Sequence, residues 1–135
     1  MKTTVSTSEA PAAIGPYSQA VSANGFLFTS GQIPLDPATG AVVAGSIDEQ
    51  TNRTLDNLEA VLKAGGASLA SVVQTNVYVT SLSHFARVNE LYATRFGAGP
   101  YPARITVEVP ALPKGVLIEI SAIALQGSAP PLSRG

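Results

Sequence analysis

The sequence of 135 residues contains no cysteine and only one histidine, His84. Without cysteine the chain cannot form disulfide bonds, thiolate metal sites or a cysteine nucleophile. A zinc site or a Ser-His-Asp triad would rest on His84 alone, because no second histidine is present. We therefore interpret His84 as a surface residue at the start of a helix and look for chemistry among other side chains.

Charged residues are also scarce. They make up 13% of the chain, about half the usual share of roughly 25% for a globular domain. This scarcity suggests that other subunits cover part of the surface. The net charge is −1 and the eight Lys and Arg residues are scattered. The sequence thus lacks the basic cluster of a nucleic-acid-binding protein, and we expect no nucleic-acid partner.

Long apolar runs are missing too. The first ten residues, MKTTVSTSEA, are polar and do not resemble a secretory signal peptide. No run approaches the ~18 apolar residues that span a bilayer, so we expect a cytoplasmic protein without a membrane partner. Residues 127–135 are rich in Gly, Pro and Ser, which predicts a flexible tail after a single domain at 1–126.

Two local patterns identify secondary structure in the first half of the chain. Asn24-Gly25 lies between apolar runs near 18–23 and 26–30. This arrangement predicts a β-hairpin, because a type I′ turn needs a positive φ at both central residues. Ser46 followed by Glu49 is a capping-box pattern that predicts the start of a helix, and Gly65-Gly66 predicts its end.

The second half predicts another helix and three strands. SVVQTNVYV alternates as a strand would, and SHFARVNELYATRF has apolar residues at helical spacing. Two further strands are expected near 103–109 and 116–125. The order β-β-α-β-α-β-β predicts an α+β domain with a mixed sheet and two helices on one face. The last strand is apolar on both faces, which indicates that the helix-free face is buried by association.

Arg104 and Glu119 are charged residues inside these last two predicted strands. An arginine can hold a carboxylate through two parallel hydrogen bonds, and a glutamate can act as a general base toward water. Alternatively, Arg104 forms a structural ion pair with Glu108 or Glu119. The residues alone leave both interpretations open, although Glu108 fits a solvated or interface charge better.

Three other positions have two interpretations each. Tyr17 follows Gly-Pro and is either a pocket wall or a packing residue. Gly31 follows a predicted strand, where it allows a ligand to approach the backbone or simply makes a tight turn. Asn89 lies one turn after Phe85 on the second helix, and its role is open.

Five segments together resemble the RidA (YjgF/YER057c/UK114) family over roughly residues 10 to 126. They are IGPYSQAV, LFTSGQIPLDPATG, QTNRTLDNLEAVLKAGG, VVQTNVYVTSLSHFARVNELYATRF and YPARITVEVPALPKGVLIEISAIA. The resemblance implies a chorismate-mutase-like fold and a homotrimer with clefts between subunits. It also implies hydrolysis of reactive 2-imino acids, and their enamine tautomers, to 2-oxo acids and ammonia without a cofactor or metal.

The resemblance assigns roles residue by residue. Arg104 matches the arginine that holds the substrate carboxylate, and Glu119 matches the glutamate that holds the hydrolytic water. The matched substrate-binding positions are Tyr17, Ser30, Gly31, Asn89, Ile105 (through main-chain groups) and Thr106. Thr106 stands where many members have Cys or Ser, and Ser121 stands where many have a second acid. Two rival functions are a non-catalytic module that binds small carboxylates and a ribonuclease.

Overall fold

A computed structural model describes residues 1–127 of the chain. It contains a six-stranded mixed sheet in the order β1-β2-β3-β6-β4-β5, with two helices on one face. The strands are β1 (Thr3–Val5), β2 (Ala20–Ala23), β3 (Phe26–Thr29), β4 (Val72–Val79), β5 (Ala103–Glu108) and β6 (Ile118–Leu125), and the helices are α1 (Ile47–Ala64) and α2 (Phe85–Phe96). The predicted α+β architecture is confirmed.

The turn and cap signals act as the sequence predicted. Asn24 and Gly25 have φ values of 53° and 82°, as a type I′ turn between β2 and β3 requires. Ser46 caps α1, and its main-chain N–H donates to Glu49 Oε1 at 2.7 Å, which completes a capping box. These local bonds satisfy helix-end donors that would otherwise lack partners.

The core lies between the sheet and α1. Leu55, Leu58 and Leu62 are fully buried on one face of α1, as their helical spacing predicts. They pack in one cluster with sheet residues that include Leu27 and Ile120. The sheet face under the helices is therefore the hydrophobic face that holds the domain together.

The opposite, helix-free face of the sheet is largely apolar and open in the single chain. Its exposed residues include Phe28 (43%), Ile105 (50%), Val107 (39%) and Leu125 (47%). These residues form two apolar groups, one on β3 and β6 and one on β5, with the polar pair Asn76 and Ser121 between them. Exposed apolar surface of this kind is common at interaction sites. The face is thus available for association with another chain.

β5 lies at the edge of the sheet and pairs in parallel with β4, with Thr75 opposite Arg104. β6 lies on the other side of β4, with Tyr78 opposite Glu119. The last two strands are consecutive in sequence but separated by β4 in space. Arg104 and Glu119 are therefore not cross-strand neighbours, because each pairs with a different residue of β4.

Two details differ from the sequence prediction. The short edge strand β1 pairs with β2 and was not predicted, because three residues with one apolar member carry little periodic signal. The alternation predicted for SVVQTNVYV would put Val73 on the same face as Thr75, but an irregularity at Val72 to Gln74 buries Val72 and leaves Val73 40% exposed. A bulge of this kind shifts the alternation by one residue.

The predicted tail from residue 127 onward lies outside the described residues, apart from Gly127. Neither α1 nor α2, nor any other helix within residues 1–127, combines the length and apolarity needed to cross a bilayer.

Candidate active site

Arg104 lies on β5 beneath α2, where two aromatic rings flank its side chain. Its Cζ atom is 5.4 Å from the ring centroid of Phe85 and 5.0 Å from that of Tyr92. Its Nη1 donates to Asn89 Oδ1 at 2.7 Å. Cation–π contacts and one hydrogen bond hold the planar guanidinium while leaving most of its donors unused.

Arg104 has no carboxylate partner in the part of the chain that the structure describes. The other three arginines there, Arg53, Arg87 and Arg95, each lie within 4.0 Å of an acidic side chain. Glu108 instead accepts a hydrogen bond from the main chain of Leu82. The alternative that Arg104 forms an intrachain ion pair with Glu108 or Glu119 is therefore wrong.

A cavity of about 350 Å³ opens beside this guanidinium. We call it the Arg104 cavity, and its lining residues are Asn89, Tyr92, Ala93, Tyr101, Pro102 and Arg104. Burial raises the pKa of Tyr92, although a hydrogen bond with Thr75 at 2.7 Å and the nearby Arg104 charge both act in the opposite direction. A neutral phenol and an unpaired cation make the cavity suitable for an anion.

Glu119 lies in a different and larger cavity of about 620 Å³, which we call the Glu119 cavity. Apolar side chains dominate its wall, and Tyr17, Ser30, Gly31, Gln32 and Lys114 also line it. Of the residues that the sequence analysis assigned to one site, Tyr17, Ser30, Gly31 and Glu119 line this cavity, whereas Asn89 and Arg104 line the other. A largely apolar wall with a few polar groups is typical of a small-molecule site.

The Glu119 carboxylate packs directly against the main chain of Gly31. A Cβ atom placed on Gly31 would lie 1.8 Å from Glu119 Oε2, so no larger residue fits without moving the carboxylate. Burial raises the pKa of Glu119 above its ordinary value of 4.5. Desolvation disfavours the charged form, which makes this carboxylate a better proton acceptor than an exposed glutamate.

The segment that carries Gly31 is tied to its surroundings on both sides. Ser30 donates its N–H to Gln19 O at 2.9 Å and its hydroxyl to Ser18 O at 2.5 Å. Gln32 exchanges main-chain hydrogen bonds with Ile120, at 2.8 and 3.0 Å. Gly31 is therefore held in place beside Glu119 rather than free to move away from it.

The two charged residues point to opposite faces of the sheet. Arg104 pairs with Thr75, which is buried under α2, whereas Glu119 pairs with Tyr78, three residues further along β4. Side chains alternate between the two faces of a strand, so positions three apart lie on opposite sides. One chain does not bring Arg104 and Glu119 to a common ligand.

The remaining predicted positions follow the same alternation. Thr106 shares the helix-side face with Arg104, and its Oγ1 is buried with no hydrogen-bond partner among residues 1–127. Ile105 points to the helix-free face, half exposed. Because β5 is an edge strand, one side of its main chain is unpaired and available to a ligand or another chain.

Comparison with known proteins identifies the family. A family model described as Endoribonuclease L-PSP matches residues 7–126. The chain belongs to this family. It is the RidA (YjgF) family that the sequence motifs indicated.

Three of its similar proteins illustrate the range of names in the family. A RutC family protein of Pyrococcus horikoshii is 52% identical over 92% of this chain and 98% of its own length. The 2-iminobutanoate/2-iminopropanoate deaminase of Mus musculus is 47% identical over 91% of this chain and 90% of its own. A solved Rid family protein of unknown function from Yersinia pestis is 46% identical with a TM-score of 0.90, covering 93% of this chain and 99% of that one.

Several residues of this RidA-family chain contribute to the two cavities without having been predicted. Tyr92 and Tyr101 line the Arg104 cavity, and Gln19, Gln32 and Lys114 line the Glu119 cavity. Tyr101 was detectable in principle, because it lies three residues before Arg104 in a Gly/Pro-rich loop. Lys114 and Gln19 depend on how distant loops meet, and no local pattern reveals that.

Within residues 1–127, no three His, Cys, Asp or Glu side chains are grouped closely enough to hold a metal ion.

Proposed function

We propose that this chain is a hydrolytic deaminase that converts 2-imino acids, and their enamine tautomers, to 2-oxo acids and ammonia. The observation that carries the proposal is the pair of complementary half-sites. One presents a guanidinium without a carboxylate partner, and the other presents a half-buried glutamate in an apolar cavity. The deaminase name of the mouse relative supports the same reaction.

In the proposed reaction, Arg104 binds the substrate carboxylate through its free N–H donors. The carbon of the imine is electrophilic, and its protonated form accepts water readily. Glu119 takes a proton from water as the oxygen bonds to that carbon, which gives a carbinolamine. Glu119 then returns this proton to nitrogen and takes up the hydroxyl proton as the C–N bond breaks and the C=O group forms. The released ammonia accepts that proton from Glu119 and leaves as ammonium, which restores the carboxylate.

We further propose that each complete site contains Arg104 from one copy and Glu119 from another. The two residues face opposite sides of the sheet in one chain. The exposed apolar face, with Ile105 and Val107 on the edge strand, gives a second copy a surface to cover. A closed homotrimer with three identical clefts satisfies this arrangement by symmetry, and light scattering should give three times the single-chain mass of 13.8 kDa.

Mixing two inactive variants tests both parts of the proposal. Arg104→Ala and Glu119→Gln should each lose most activity, measured as ammonia released from imines generated in situ by an amino-acid oxidase. After the two are unfolded together at equal concentrations and refolded, random trimers contain about one quarter of their sites with both residues intact. Activity should then return to about one quarter of the wild-type value.

The outcomes separate the alternatives. No recovery after verified subunit exchange would mean that one chain supplies both residues. Full activity in either single variant would mean that the substituted residue is not needed. Saturable binding of 2-oxobutanoate by the wild type without ammonia release would favour the carboxylate-binding module.

The family name also raises ribonuclease activity. Because Arg53, Arg87 and Arg95 are paired with acidic side chains, the described surface offers few free cations to a phosphate backbone. We therefore favour the deaminase over a ribonuclease. RNA binding at low salt, with a steep loss as salt rises, would contradict this choice.

A further inference from the structure

Gln19 is a buried carboxamide whose side chain binds a separate part of the chain. Its exposed fraction is 4%. Its Oε1 accepts from the N–H of Thr7 at 2.7 Å, and its Nε2 contacts three carbonyl oxygens, those of Thr7 at 3.0 Å, Ala10 at 3.3 Å and Pro11 at 2.7 Å. One side chain therefore holds both ends of the segment 7–11.

This segment leads directly into a wall of the Glu119 cavity, which Pro11, Ala12 and Ile14 line. Residues 7–8 and 12–13 also border a second hollow of about 480 Å³. Within residues 7–11, Ala10 is buried in the core and the Gln19 side chain bonds to Thr7, Ala10 and Pro11.

Gln19 also ties this wall to the segment that supports Glu119. Its main-chain oxygen accepts the N–H of Ser30, and Ser30 precedes the glycine against which the carboxylate packs. Gln19 is itself among the residues that line the cavity. It therefore links the wall formed by Pro11, Ala12 and Ile14 to the segment that carries Gly31.

We propose that Gln19 is a positioning residue of the site. By holding residues 7–11, it fixes the adjoining wall of the Glu119 cavity, formed by Pro11, Ala12 and Ile14, relative to Ser30 and Gly31. The proposal rests on the proposed deaminase function. Gln19 acts through the wall and contacts neither the reacting carbon nor the attacking water. Its loss should therefore weaken substrate binding and water exclusion more than proton transfer by Glu119.

The kinetic test compares two carboxamides. Gln19→Met keeps the length of the side chain and removes its polar contacts with Thr7, Ala10 and Pro11. The matched control is Gln126→Met, because Gln126 also bonds a main-chain oxygen, that of Gly65 at 2.9 Å, and accepts from Ser22 Oγ, but lines neither cavity. Gln19→Met should lower kcat/KM by about tenfold or more, chiefly through KM, whereas Gln126→Met should stay within about threefold.

A spectroscopic test does not depend on turnover. The chain contains no tryptophan, so Ile14→Trp places a single indole on the wall, 82% exposed at the wild-type residue. Adding Gln19→Met to this variant should lower the fluorescence anisotropy of the indole and weaken its response to added 2-oxobutanoate. Gln126→Met should change neither.

The results distinguish the proposed role of Gln19 from the proposed deaminase function. An inactive wild type would refute the deaminase, while the indole would still report whether Gln19 holds the wall. Unchanged anisotropy and unchanged kcat/KM in Gln19→Met would overturn the inference in an active enzyme. If Gln19→Met does not fold, Gln19→Glu keeps the acceptor for Thr7 N–H and loses the amide donors. It should show the same rise in KM, and a wild-type KM in Gln19→Glu would equally overturn the inference.

Discussion

The Arg104 half-site and the Glu119 half-site are built in opposite ways. Arg104 stands on a regular strand and is flanked by aromatic rings of a regular helix. Glu119 also stands on a regular strand, β6, but irregular segments joined by hydrogen bonds from Gln19, Ser30 and Gln32 surround it, and burial raises its pKa. The comparison suggests a division of labour, with a rigid cation for binding and an adjustable carboxylate for proton transfer.

The largest expected effect comes from removing the cation. Arg104→Ala loses a charge-assisted contact with the substrate carboxylate, which costs about 1.5–3 kcal/mol and roughly 3–5 if the partner charge stays buried. The value of kcat/KM on 2-imino acids should fall by about a hundredfold or more, at ~1.4 kcal/mol per tenfold. Arg104→Lys should restore only part of it, because a point charge cannot reproduce the planar fork.

An arginine on α2, Arg87, provides the control. Arg87 forms exposed ion pairs with Asp48 and Glu90, and such pairs contribute little to stability. Arg87→Ala should keep kcat/KM within about threefold. If Arg104→Ala remains folded and still gains wild-type thermal stability from 2-oxobutanoate, Arg104 is not the residue that binds the carboxylate.

The next effect concerns the glycine behind Glu119. In Gly31→Ala the new methyl group would lie 1.8 Å from Oε2, so the carboxylate must swing away. Because the clash is with the end of a flexible side chain, the fold should tolerate it. Turnover should fall by about tenfold or more with little change in 2-oxobutanoate binding.

A double-variant cycle checks that this loss passes through Glu119. In the Glu119→Gln background, adding Gly31→Ala should lower the residual rate by less than about threefold. A full tenfold loss in that background would show that Gly31 acts on the substrate directly.

The third prediction tests whether Arg104 of one copy lies close to Glu119 of another copy. Burial raises the pKa of Glu119 in the single chain, and a guanidinium from another copy would lower it. Arg104→Ala should therefore raise the pKa of Glu119 further, as followed by NMR titration of labelled glutamate side chains. Equal pKa values in the wild type and Arg104→Ala would mean that Arg104 does not approach Glu119 in the assembly.

The raised pKa of Glu119 also sets the direction in which the free energy of unfolding changes with pH. A raised folded pKa means that the fold favours the protonated carboxyl. This contribution to the free energy of unfolding is fully present below the unfolded pKa and is lost as pH rises through the folded pKa. Activity has the opposite dependence, because the general base must be ionised. The kcat/KM profile should lose its acid limb in Glu119→Gln.

The sequence predicted the elements whose signals are local. Asn24-Gly25 and the Ser46–Glu49 capping box fix a turn and a helix start by their own backbone chemistry, and each appears where it was expected. The bulge near Val73 and the strand β1 depend on pairing with distant residues, which alternation within one segment does not encode.

The candidate residues of the site could be named from the sequence, but their relative placement could not. Arg104 and Glu119 were identified from their motifs, yet the possibility that they pair within one chain was wrong. Their opposite orientation follows from how β4 pairs with Thr75 beside one and Tyr78 beside the other. That register is set by packing across the whole sheet, so it is visible only in three dimensions.

The smallest effect is expected at Thr106, which lies two residues from Arg104 on the same face. Its hydroxyl has no partner within residues 1–127, and no histidine is placed nearby in the sequence to activate it as a nucleophile. Thr106→Ser should therefore keep kcat/KM within about tenfold. Thr106→Val should do the same, because replacing an unsatisfied hydroxyl with a methyl group costs little and can even stabilise the fold.

A covalent adduct trapped at Thr106 would contradict this prediction. A loss confined to Thr106→Val would show instead that the hydroxyl bonds to the substrate or to another copy, and would place Thr106 with Arg104 in the binding half of the site.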